Sequence, residues 1–157
     1  MAIEFELRPA TDGERDFIFE VYASTRADEM DALGWPSRQR EAFLRMQFEA
    51  REAHYRQHHP EAFFQIIVVD GAAVGAICVD RRENRLQIVD IALLAAYRGN
   101  GLGSRVLQAI VDEAAMRALP VRLHVLAGNP AARLYRRLGF NAIAEDGVHV
   151  LMEWTPG

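Results

Sequence analysis

Three glycines on alternate positions, Gly99, Gly101 and Gly103, stand between an apolar run, Ile88 to Leu94, and an amphipathic segment, Leu102 to Ala118. The apolar run reads as a central strand covered on both faces. In the segment after it, Leu102, Val106, Leu107, Ile110, Val111 and Ala114 recur at helical spacing. The chain therefore passes from sheet to helix through a loop with few side chains. Glycine tolerates positive φ and lets backbone approach a ligand closely. The first amides of a helix have no intrahelical partner and carry the positive end of its dipole. Strand, loop and helix start make a cradle for an anion, most simply a phosphate or pyrophosphate. The dinucleotide fingerprint is excluded, because Ser104 stands where its last glycine belongs, and a Walker A loop lacks its G-K-[ST] ending here.

At 157 residues, half of them hydrophobic and a quarter charged, the chain is expected to form one globular domain, 1–157. A net charge of −4 argues against nucleic acid as a bulk electrostatic partner. Cys78 is the only cysteine, so no intrachain disulfide can form, and a reducing, cytoplasmic setting is expected. It lies within Val74 to Val79, as a buried small hydrophobe would. The N-terminal stretch Met1 to Glu6 lacks the pattern of a signal peptide, and no apolar run approaches membrane-spanning length. His54, His58 and His59 cluster without acidic or cysteine ligands at metal spacing, so a solvated helix end is expected there and no metal.

The remaining elements follow from periodicity and punctuation. Residues 3–9 alternate as a half-buried strand ended by Pro9. Thr11 or Asp12 caps a helix running to about Leu33, where Gly34-Trp35-Pro36 stops it. A second long helix runs from Ser37 to about His58. Strands 63–69 and 74–80 flank the hairpin signal Asp70-Gly71. Strand 86–94 and helix 102–118 follow, then strand 121–126 and a helix begun by Asn129-Pro130 and ended at Gly139. Asp146-Gly147 joins two antiparallel strands ending near Trp154. The order is β-α-α-β-β-β-α-β-α-β-β, an α/β (α+β) chain.

The pattern R-x-x-G-x-G, Arg98 to Gly103, resembles the acyl-CoA pyrophosphate loop of the GNAT superfamily of N-acetyltransferases. Asn129-Pro130-Ala131-Ala132-Arg133-Leu134-Tyr135-Arg136-Arg137-Leu138-Gly139-Phe140 is similar to that superfamily's second block, and one helix plus one strand separate the two. The resemblance implies a twisted mixed sheet of about seven strands with helices on both faces. It implies acetyl-CoA as co-substrate, with Arg98, Gly99, Asn100, Gly101, Leu102, Gly103 and Ser104 on its pyrophosphate. The backbone of Ile91, Ala92 and Leu93 would pair with the pantetheine in the manner of an added strand, and Asn129 would reach the pantetheine or only cap its helix. Tyr135 stands where the family carries the acid that protonates the departing thiolate. Tyr22, Arg26 and Glu29 share one face of the first helix, which helps form the acceptor pocket in that fold.

An acceptor amine must be neutral to attack. A lysine-like amine of pKa ~10.4 is neutral about once in 2,500 molecules at pH 7, a cost of roughly 4.6 kcal/mol, against about 1 kcal/mol for an α-amino group. His124, on the strand facing the cleft, and Asp90, a lone charge in an apolar strand, are the candidate bases. Asp90 is otherwise expected to pair with Arg122 or another arginine. No nucleophile is placed for covalent catalysis, so direct transfer to a primary amine is expected. The same fold would also allow a homodimer, a non-catalytic acyl-CoA-binding regulatory module, or a structural or interaction protein.

Overall fold

The computed structural model describes residues 3–157; Met1 and Ala2, which open the stretch read as no signal peptide, lie outside them. In chain order the elements are β1 (Glu6–Pro9), α1 (Arg15–Thr25), α2 (Ala27–Leu33), α3 (Ser37–His58), β2 (Phe63–Val69), β3 (Ala72–Arg81), β4 (Leu86–Leu93), α4 (Leu102–Met116), β5 (Val121–Leu126), α5 (Ala131–Arg137), β6 (Asn141–Glu145) and β7 (His149–Trp154). They build one seven-stranded sheet in the order β1-β2-β3-β4-β5-β7-β6. All pairings are antiparallel except β4 with β5.

Alternation along the strands splits the core between the two faces. Ile67 and Val69 of β2 pack with α4, whose Val106, Leu107, Ile110 and Ala114 are fully covered. Their neighbours Ile66 and Val68 pack on the other face with Ile18, Phe19, Tyr22, Leu44 and Phe48 of α1 and α3. α5 joins the α4 face through Leu134, Tyr135 and Leu138. The hairpin between β2 and β3 turns at Asp70 (φ +50°) and Gly71 (φ +78°), the two positive angles that a tight two-residue turn requires.

Three differences from the sequence reading have local causes. The first helix is two helices after a short 3-10 turn, Asp12–Glu14. Ser24 and Thr25 bond back to the carbonyls of Val21 and Tyr22 at 2.7 and 2.6 Å, and the backbone leaves helical geometry at Arg26. β1 begins at Glu6, although Ile3 and Phe5 still pack on the core. α4 ends at Met116, because Ala118 takes φ +55° to turn the chain into β5.

Candidate active site

β4 and β5 pair only over Leu86↔Val121, Gln87↔Arg122 and Ile88↔Leu123. Beyond Ile88 the strands diverge, each still paired with its outer neighbour. The divergence starts at a bulge: Val79 opposes Ile88 and Cys78 opposes Asp90, leaving Val89 as the extra residue. Backbone from Val89 to Leu93 is thus an edge without a strand partner on the β5 side. Ile91, Ala92 and Leu93, the residues expected to meet pantetheine, are on this edge.

Gly75 lets β3 and β4 close up behind it. A Cβ at Gly75 would lie 2.5 Å from the Ala92 carbonyl oxygen and 2.8 Å from Leu93 Cδ2. Sequence reasoning passed over this glycine, which lay inside an ordinary strand pattern.

β4 feeds the glycine loop. Gly99 and Gly101 adopt φ +78° and +86°, with open space where a side chain would begin. Asn100 Oδ1 accepts from the Leu102 amide at 3.2 Å, and the first intrahelical bond runs from the Arg105 amide to the Gly101 carbonyl. The Gly103 and Ser104 amides therefore remain for a ligand. This cradle, open and free of side chains, fits a pyrophosphate. Arg98 ties the loop to β4 and α1: its Nε and Nη2 donate to the Leu93 carbonyl (2.8 Å) and Ser24 Oγ (3.1 Å).

Tyr135 packs from α5 against Phe140, with ring centroids 6.1 Å apart. Its hydroxyl makes no hydrogen bond among the described residues. Burial, and after it the Asp90 charge, push its phenol upward, so it stays protonated. Asn129 Oδ1 accepts from the Ala131 amide at 2.9 Å and so caps α5. Gly139 (φ +100°) ends the helix, and the Phe140 amide bonds back to the Tyr135 carbonyl at 3.0 Å.

Asp90 is partnered by Arg51, Nη1 to Oδ2 at 3.2 Å, not by Arg122, which holds Glu153 at 2.7 Å. Burial pushes the Asp90 carboxyl up, and Arg51 opposes that. The Arg51 guanidinium lies 4.5 Å from the Tyr22 ring centroid and 5.4 Å from that of Tyr55. Burial and the nearby Asp90 also push the Cys78 thiol up to about 12, so that buried thiol is inert. Arg51 escaped sequence reasoning because α3 carries arginines all round, and nothing local marks the inward one. Tyr22, Arg26 and Glu29 do meet, with Arg26 donating to Tyr22 Oη and Glu29 Oε2, both at 3.1 Å.

His124 opens onto a pocket of about 340 Å³ bounded by α3, β4, β5 and the β6–β7 turn. His54, His59 and His149 share it, with Tyr55, Gln87 and Asp146. Burial, then the neighbouring His149, lower the His124 imidazole below its ordinary value, so it is neutral near pH 7. The expected solvated histidine cluster is only partly so. His58 stacks on His54 at the helix end, but His59 turns inward, its side chain 16% exposed, and bonds buried Asp80 at 2.9 Å. Among the described residues no group of His, Cys, Asp and Glu is arranged to hold a metal.

A sheet forked beside a glycine loop and a helix start is the layout that binding an acyl-CoA requires. Residues 23–140 match the acetyltransferase (GNAT) family, and the chain belongs to that family. It is an acyltransferase with acetyl-CoA as co-substrate. Solved structures agree in fold. PaiA N-acetyltransferase from Thermoplasma acidophilum, in complex with coenzyme A, superposes with TM-score 0.71 at 18% identity, covering 98% of this chain and 99% of that one. A histone acetyltransferase HPA2 and related acetyltransferase from Corynebacterium glutamicum gives 0.68 at 22%, covering 100% and 98%. Ard1 from Thermoplasma volcanium gives 0.66 at 17%, covering 98% of each. No curated protein sequence matches the chain. No helix among the described residues is long and apolar enough to cross a membrane.

Proposed function

We propose that this protein transfers an acetyl group from acetyl-CoA directly to a primary amine. The observation that carries the reading is the fork: an unpaired β4 edge runs from the pocket to the glycine loop, and Tyr135 packs on the same core cluster as Ile91 and Leu93 of that edge. Ile91, Ala92 and Leu93 hold the pantetheine through main-chain groups, and the Gly103 and Ser104 amides hold the pyrophosphate. Acetyl-CoA supplies an activated acyl group, and the protein's residues align it and move two protons. As the N–C bond forms and the C–S bond breaks, the amine gives one proton to a base in the pocket and the sulfur takes one from Tyr135. Asp90 is committed to Arg51 and does not serve as the proton acceptor in this reading. His124 is the strand-borne imidazole of the pocket, and Tyr22, Arg26 and Glu29 lie on the acceptor side. One neighbour's name, N-acetyltransferase, supports nitrogen as the acceptor atom. A cytoplasmic enzyme is part of this reading, in keeping with its single, buried cysteine.

The test is a panel of acceptors, with free thiol followed as acetyl-CoA is consumed. Amine-dependent release is expected, with α-amino and lysine-like acceptors compared at several pH values. Turnover with alcohols and none with amines would overturn the reading.

A further inference from the structure

Two imidazoles, His59 and His124, line the same pocket, and their hydrogen bonds set them in opposite tautomers. His59 Nδ1 lies 2.9 Å from Asp80 Oδ2. Asp80 is 2% exposed. Burial alone would raise its carboxyl, but the His59 and Arg82 hydrogen bonds outweigh that and hold it below its ordinary value. As a carboxylate it can only accept, so Nδ1 carries the hydrogen. Arg82 Nη2 also lies near Nδ1, at 3.4 Å, but it donates to the His58 carbonyl at 3.0 Å while Arg82 Nε donates to Asp80 at 2.8 Å. The lone pair of His59 is thus left on Nε2.

His124 is the reverse case. Gln87 Oε1 accepts from Arg85 Nε at 3.3 Å, which turns the Gln87 amide nitrogen toward His124 Nδ1 at 3.4 Å. Nδ1 accepts there, so His124 presents an Nε2–H donor.

We infer that His59, oriented by Asp80, takes the proton of the acceptor amine, directly or through water, while His124 serves as a hydrogen-bond donor. The assignment rests on the acetyl-transfer reading above. The amine proton moves to His59 Nε2, and the imidazolium so formed is stabilised by the Asp80 carboxylate. It then returns its proton to solvent. Asp80 is a positioning residue, since it acts through His59. The other titratable groups facing the pocket are His54 and Tyr55 from α3, His124 from β5, and Asp146 and His149 at the β6–β7 end. Of these imidazoles only His149 has a carboxylate near its ring, Asp146 Oδ2 at 3.9 Å from Nδ1, which is beyond hydrogen-bond distance and on an exposed pair, whereas His59 is bonded to a buried one.

Long-range proton–nitrogen spectra of the histidine side chains read the tautomers on the intact wild-type protein. His59 is expected as the Nδ1–H form and His124 as the Nε2–H form. His59 in the Nε2–H form would overturn the assignment. In kinetics, His59→Asn keeps a donor for Asp80 and removes Nε2. It should lower kcat/KM for the amine by about 10²-fold or more and abolish the acid limb of its pH profile. His124→Asn, which keeps an acceptor for Gln87, should cost less than about tenfold and retain the limb. Asp80→Asn, which no longer fixes the Nδ1–H form, should let the Nε2–H tautomer of His59 appear in the same spectra and lower kcat/KM for the amine with KM for acetyl-CoA unchanged. A limb kept by His59→Asn or erased by His124→Asn would overturn the assignment while acetyl transfer stands. A wild-type protein releasing no thiol with any amine overturns the transfer reading itself, whatever the tautomers.

Discussion

Arg51 and Asp90 bind across the junction of α3 and β4, Nη1 to Oδ2 at 3.2 Å, one residue past the bulge that opens the sheet. The pair fastens the helix that walls the pocket to the strand whose second half has no partner on the β5 side. Its side chains are 19% and 23% exposed, so the pair lies between a surface bridge and a fully buried one.

Arg51→Met should leave the Asp90 carboxylate unpaired and cost about 2–3 kcal/mol at neutral pH, below the full cost of breaking a buried pair. The sign with pH follows from Asp90, whose carboxyl is raised in the folded protein. Its stabilising contribution is complete below the ordinary carboxylate range and is lost as pH rises through the folded value. Without Arg51 that folded value rises further. The melting-temperature gap between variant and wild type should be small at pH 4 and widest at pH 8.

Tyr135→Phe should lower kcat about tenfold or more, with little change in KM for acetyl-CoA if the chemical step limits turnover. Because burial and Asp90 push the phenol upward, ionisation of Tyr135 should produce no alkaline fall in kcat below about pH 10. Steady-state rates of both proteins from pH 6 to 10 check this.

Gly101→Glu sets a like charge against the pyrophosphate cradle and should abolish measurable coenzyme A binding by calorimetry. At φ +86° any side chain is strained, by about 1–2 kcal/mol. Gly101→Ala carries that strain without the charge. It should keep most of the affinity, which separates the electrostatic effect from the conformational one.

Gly75→Ala should weaken coenzyme A binding without touching the ligand's own contacts. The new methyl would fall against the Ala92 carbonyl and the Leu93 side chain, and overpacking of this kind costs about 1–3 kcal/mol. β4 must shift to make room, and the Ile91–Leu93 edge moves with it. Unchanged affinity would mean that the edge does not hold the pantetheine.

The elements could be read from the sequence because their signals are local, whereas the cleft between β4 and β5 was implied only by the family resemblance. Pro36 and Pro60 bracket α3, Asp70-Gly71 marks a turn that needs two positive φ angles, and the glycines before Leu102 announce an open helix start. The block from Asn129 to Phe140 likewise carries its own cap and stop, and Tyr135 with it. The division of the first helix was harder to foresee, since Ser24 and Thr25 act by bonding back to their own turn.

Which charges meet across the sequence was decided by the tertiary structure alone. Asp90 pairs with a residue 39 positions away and His59 with one 21 positions away. A single sequence carries no mark that picks Arg51 from the other arginines of α3, or turns His59 inward while His58 stays at the surface. Helix and strand periodicities are set by backbone geometry within a few residues, so the chain displays them openly. Burial, and the partners that stabilise a buried charge or fix a tautomer, depend on how α3 docks across β3, β4 and β5. That docking is settled by the packing of the whole core around Phe48, Ile66 and Ala76.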